Sequence, residues 1–202
     1  MGGYSRANLL GKQGIWQQSE KTGFWKIVRE FVSSFSSTVS LTIAIPTPVY
    51  LRTKLLCEYI SDEVGVDFDV SNFLMVLYLD FIHASVKRYE PLYMYRSIHL
   101  KYPKADTLII SQGSKILAEY KRDKETRTDI WISMDKKDVL KGEMVLYELD
   151  ELYGHQLTFE EMLANLWINF IEEYKRGNHE KALNAIIKML KNRKKKKPIE
   201  VY

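Results

Sequence analysis

The sequence predicts a mainly α-helical chain with a two-stranded antiparallel β-ribbon. Two copies of a strand–helix–helix unit in one chain would form it, with helical extensions at both ends and a hairpin in the linker. Three observations carry this reading. "SLTIAIP" (40–46) alternates apolar with small or polar residues and stops at a proline, the pattern of a strand with one buried face. "DIWISMD" (129–135) is a second alternating run. The residues after the two runs match in apolar pattern, Ser40 falling on Asp129 and Ile82 on Ile171, an offset of 89 throughout. A lone strand leaves its backbone groups unpaired, so each run is expected to find its partner in the other.

Taken in order, residues 1–37 form an N-terminal extension. Its segment "GFWKIVREFVSSF" places Phe24, Ile27, Val28, Phe31 and Phe35 on or near one helical face, expected to pack on the core or a neighbour. The first unit spans 38–83. In its strand Leu41, Ile43 and Ile45 share one face, and Ser40, Thr42 and Ala44 the other. Pro46 and Pro48 sit where the next helix begins, a place where missing amide hydrogens cost little. Gly65 suits the left-handed residue that closes that helix, and Asp69 the N-cap of a second one. The second helix is apolar on more than one face, so it should be buried on most sides.

Residues 84–126 form a basic linker containing a hairpin, "TLIISQGSKILAEY", turning at Gln112-Gly113. The second unit, 127–176, repeats the plan, with Gly154 in the place of Gly65 and Thr158 in that of Asp69. Thr158 with Glu161 reads as a capping box. Residues 177–202 are a basic C-terminal helix and tail. Ala182, Leu183, Ile186, Ile187, Met189 and Leu190 supply its apolar positions before a run of cations.

Bulk properties narrow the function classes. The chain has 202 residues, 46% hydrophobic, with 13 tyrosines, enough for a sizeable core. Its single cysteine excludes an intramolecular disulfide, and no apolar stretch is long enough to span a bilayer. A cytoplasmic location is expected, in the host-cell cytoplasm if the source is viral. Net charge is +4, and acidic blocks (38–83 and 128–176) alternate with basic ones. The four histidines match no metal-site spacing, and one cysteine cannot complete a structural zinc. "GGYSRANLLGKQG" lacks the preceding strand that a phosphate loop requires. No catalytic set is recognisable, so neither enzyme activity nor a cofactor, metal, small-molecule ligand or membrane partner is expected.

The order strand, helix, glycine turn, helix in "LTIAIPTPVYL…GVDFDVSNFL…LDFI" and "IWISMDKKDVL…GHQLTFEEML…NFI" resembles two copies of the ribbon-helix-helix DNA-binding fold. The layout is similar to the tandem ribbon-helix-helix (MetJ/Arc-type) transcription regulators of archaeal filamentous viruses. The resemblance covers about 90 residues and is one of pattern. It implies an intramolecular pseudo-dimer whose ribbon enters the DNA major groove, a sequence-specific regulator of transcription. By alignment it implies base contacts from Ser40, Thr42, Ala44, Asp129, Trp131 and Ser133. It implies phosphate contacts at the second helix starts, from Ser71, Asn72 and Thr158, where unpaired amides favour an anion.

Arg127 stands just before the second strand, within reach of a phosphate. No outward strand residue is Lys or Arg, and both units are acidic, so the salt-dependent part of affinity must come from other segments. Lys191, Arg193, Lys194, Lys195, Lys196 and Lys197 are the obvious source. Double-stranded DNA and further copies of the chain are the expected partners. The alternative is a structural or assembly protein that coats DNA or binds proteins through the same core.

Overall fold

The computed structural model describes residues 4–9, 38–102, 107–112, 115–121, 125–178 and 180–196. The helix expected over 24–35 lies outside them. Among the described residues the chain is mainly helical, with two two-stranded antiparallel sheets. The element order is β1 (Thr38–Pro46), α1 (Thr47–Val64), α2 (Val70–Lys87), α3 (Pro91–Ile98), β2 (Thr107–Gln112), β3 (Lys115–Lys121), β4 (Arg127–Asp135), α4 (Lys136–Tyr153), α5 (Phe159–Lys175) and α6 (Glu180–Lys196). The starts of β1 and β4, of α1 and α4, and of α2 and α5 are each 89 residues apart.

β1 finds its partner in β4. They pair antiparallel over nine residues each, from Thr38 opposite Asp135 to Pro46 opposite Arg127. Thr42 faces Trp131, which is also its equivalent under the 89-residue offset. That register is the one a two-fold exchange of the units requires. Side chains alternate as the pattern dictates: Leu41, Ile43, Ile45, Ile132 and Met134 are buried against the helices, and Ile130 is half-buried. Each fully buried aliphatic of this kind stabilises the fold by about 1.5–3 kcal/mol.

The helix ends follow local chemistry. Pro46 holds the N-cap position of α1, and the Thr47 amide donates to the Thr126 carbonyl at 2.8 Å, tying α1 to the start of β4. Gly65 closes α1 in the left-handed region (φ 65°, ψ 37°). Gly154 also has positive φ, but its ψ of 119° takes the chain out of α4 along a different path from the expected left-handed close. Asp69 caps α2 by accepting from the Asn72 amide at 2.7 Å. Thr158 and Glu161 form the expected capping box on α5.

α5 is the centre of the core, packing on β1, α1, α2, α3 and α4. Its Trp167 is fully buried and crosses to the first unit, where Nε1–H donates to Thr53 Oγ1 (2.7 Å); that hydroxyl in turn donates to the Val49 carbonyl (2.9 Å). The equivalent residue, Tyr78, crosses the other way and donates its hydroxyl to the Asp138 carbonyl, the counterpart of Val49. Gly142 replaces Thr53 here. With no side chain it leaves room both for Tyr78 and for the Phe159 ring, which a Cβ would strike. Burial raises the Tyr78 phenol well above its ordinary pKa, so the donor stays protonated.

Past residue 83, α2 runs on to Lys87. Before the hairpin the linker also holds a helix: Pro91 opens α3, whose Met94 and Ile98 are buried. Asn169 of α5 locks it by donating to the Ser97 and His99 carbonyls (3.1 and 2.7 Å) while accepting from the Lys101 amide. The expected hairpin pairs β2 with β3, and Gln112, expected in its turn, instead ends β2 opposite Lys115. Of the apolar positions of α2 expected inside, Leu79 is exposed while Phe73, Leu74, Phe81 and Ile82 are buried.

Gly142→Ala is expected to destabilise the fold by about 1–3 kcal/mol through overpacking against Phe159, read as a lowered urea midpoint. Cys57 gives a second test. Burial, assisted by the nearby Asp69 and Glu58 charges, pushes its thiol up to about 12. It should resist a thiol reagent at pH 8 in the native protein and react fully once unfolded.

Candidate nucleic-acid interface

The outer face of the β1–β4 ribbon gathers the six residues expected to read bases. They meet as three facing pairs: Ser40 with Ser133, Thr42 with Trp131, and Ala44 with Asp129. Ser40, Asp129, Trp131 and Ser133 are exposed, and Thr42 and Ala44 are partly so. Trp131, at 76% exposure, is the most open large aromatic side chain among the described residues. Two-stranded ribbons of this width fit the major groove, where alternate side chains reach base edges. None of the six is cationic.

Cations stand at the two ends of the ribbon instead. At one end Arg127 is exposed and donates one guanidinium nitrogen to the Ala44 carbonyl at 2.8 Å, which fixes its stem and leaves other donors free for an anion. At the other end Lys137 is exposed on the first turn of α4, directly after Asp135. Sequence reasoning missed Lys137, although the "KK" following the strand is a visible signal. The first unit carries Thr47 and Pro48 at the equivalent positions.

The two helix starts expected to hold phosphates differ. At α2, Ser71 and Asn72 are exposed, though Asp69 already occupies the Asn72 amide. At α5, Thr158 is spent on the capping box, and the Phe159 amide donates to the Tyr4 carbonyl at 2.5 Å. Residues 4–9 lie over this end as a clasp. The Arg6 amide donates to Glu160 Oε1 (3.0 Å), while Ser5 Oγ and the Leu9 amide both donate to Glu143 Oε1. Glu160, which on sequence would repel a phosphate, is therefore buried under the clasp, and Glu143 beside it is buried too. The geometry withdraws Thr158 from the set of available phosphate contacts.

The clasp is closed by Tyr4, whose hydroxyl donates to Asp150 Oδ2 at 2.6 Å. This bond, with a second from the His155 amide, holds the Asp150 carboxyl below its ordinary range. The contribution is present above the ordinary carboxylate pKa and is lost as pH falls through the depressed folded value.

Of the basic run, Lys191 is exposed and lies 3.7 Å from Glu63, which sets the C-terminal part of α6 beside the end of α1 and the turn into α2. Arg193, Lys194, Lys195 and Lys196 follow on α6. Their side chains are outside the described residues, as is the whole of Lys197. Among the described residues no group of three or more His, Cys, Asp and Glu is placed to hold a metal ion. No described helix is long and apolar enough to cross a membrane.

Removing residues 1–9 takes away the Ser5 and Leu9 donors to Glu143 and the Arg6 donor to Glu160, and uncovers the start of α5. The variant should lose about 1–3 kcal/mol of stability, from lost hydrogen bonds to charged groups. Amide exchange should quicken first at the start of α5.

No family model matches this chain and no curated protein or solved structure is similar to it, so its functional reading rests on its own residues and geometry.

Proposed function

We propose that the chain is a sequence-specific double-stranded DNA-binding regulator of transcription, a ribbon-helix-helix pseudo-dimer folded from one polypeptide. The observation that carries the reading is the β1–β4 register, which meets the six outward residues as facing pairs about Thr42 and Trp131. The inner face is sealed by Leu41, Ile43, Ile45, Ile132 and Met134, so the outer face is the one available to a groove. Hydroxyls of Ser40, Thr42 and Ser133 donate to or accept from any base, and the Asp129 carboxylate accepts from cytosine or adenine amino groups. Arg127 and Lys137 position the ribbon by its ends, and the cations of α6 add counterion release on the first unit's side. Regulation would work by occupancy, the bound chain blocking or recruiting polymerase near a promoter in the cytoplasm.

One observation favours a second reading. The six central outward residues include a carboxylate and no cation, Arg127 standing at the end of β4, which suits a protein that coats DNA or docks on other proteins through its core. The two separate experimentally. Selection from a random duplex library at two salt concentrations should enrich one asymmetric motif. Thr42→Ala should weaken that motif without altering binding to unrelated DNA. Arg127→Ala and Lys137→Ala should each reduce the salt slope by roughly one and weaken all sequences alike. Uniform binding that vanishes on removal of residues 191–197 would select the coating protein, and no duplex binding at either salt would discard both DNA readings.

A further inference from the structure

We infer that Trp131 is a thymine reader at the centre of the bound site. This rests on the ribbon being the DNA-reading surface, and it names what the ribbon's middle recognises. Three observations converge on the indole. It sits at the midpoint of the ribbon, opposite Thr42, so it meets the central base step. It is 76% exposed on a strand whose nearest outward residues, Asp129 and Ser133, are shorter, as are Ser40, Thr42 and Ala44 across from them. The side chain therefore projects beyond a low surface. Among the described residues no hydrogen bond or ring pair engages the Trp131 indole, whereas the other described tryptophan, Trp167, is wholly buried and hydrogen-bonded.

The chemistry of the indole selects the base. It offers an apolar body and one N–H donor, with no acceptor. In the major groove thymine alone presents a methyl group beside an acceptor, its O4. Guanine offers acceptors without a methyl. Cytosine and the six-position of adenine offer an amino donor, which would meet the indole N–H donor to donor. Thr42, the two-fold counterpart, carries a hydroxyl that serves as donor or acceptor and enforces no base. The centre is therefore read from one side only, by the second unit, so the chain binds with a fixed polarity and its site has no true palindrome.

The test uses the full chain and the duplex motif selected above, with the central thymines changed one atom group at a time. Uracil removes only the methyl and should weaken wild-type binding roughly fourfold per methyl, the value of one buried methylene-sized group. 5-Methylcytosine, paired with guanine in place of adenine, keeps the methyl but replaces O4 by an amino group, and should weaken it further. Trp131→Ala should bind thymine and uracil duplexes equally. Trp131→Phe should keep the thymine preference over uracil and tolerate 5-methylcytosine better than wild type does. A selected motif with no central thymine, or equal loss on uracil substitution in wild type and Trp131→Ala, overturns the assignment while leaving the DNA-binding reading intact. So does a Trp131→Ala effect confined to self-association, measured by sedimentation without DNA. Failure to select any motif removes both.

Discussion

A nine-residue strand with no neighbour cannot persist in water, because its backbone donors and acceptors compete poorly when paired with nothing and its apolar face is half covered. β1 and β4 resolve this for each other. Everything else follows from that pairing. Since the strands lie 89 residues apart, joining them forces the two units to interlock, and each second helix crosses to the other unit's first helix. Trp167 and Tyr78 are the signatures of that crossing. Both satisfy a buried polar atom against the opposite α-helix, one through Thr53 and the other directly, in the gap left by Gly142. Apolar burial under the ribbon supplies the free energy, and these bonds fix which residue meets which.

The two units share a plan and have diverged in detail, and the divergence bears on function. The first keeps an accessible helix start with Ser71 and Asn72, next to the basic end of α6. The second has its helix start covered by residues 4–9, which bring donors to two buried carboxylates. Each ribbon end carries a cation from the second unit, Arg127 or Lys137, where the first has Thr38 and Pro48 at the equivalent positions. In the proposed regulator these differences turn a symmetric docking device into a directional one. A homodimer of identical units binds a given site equally well in either orientation, whereas two unlike units distinguish the two.

Much of this was legible in the residues. Alternation in "SLTIAIP" and "DIWISMD" identified both strands and their inner faces, because a half-buried strand must alternate. The constant offset predicted the repeated helices, and Thr158 with Glu161 announced a cap that formed as read. What escaped were features set by long-range contact. Residues 4–9 have no periodicity of their own and gain structure against Glu143, Asp150, Phe159 and Glu160. Those carboxylates look like ordinary solvated helix faces in sequence, since burial of a charge is visible only once its donors are in place. α3 is too short for a periodic signal, and its hold on α5 depends on Asn169, 70 residues downstream of His99. At the candidate site the outward strand residues were predictable from the alternation, while the closing of the α5 start was not.

The central claim, that one chain supplies both strands of the ribbon, is tested most directly by a cross-link at a facing pair. Ser40 and Ser133 are opposed in the register, at a Cα separation of about 4.5–5.5 Å that a disulfide spans. Cysteines placed at both positions, with Cys57→Ser to remove the native thiol, should oxidise to an intramolecular bridge in dilute protein. The product should run as a single chain and exclude a neighbouring combination such as 38 with 133. Bridges that form only between chains, or equally well out of register, would contradict it.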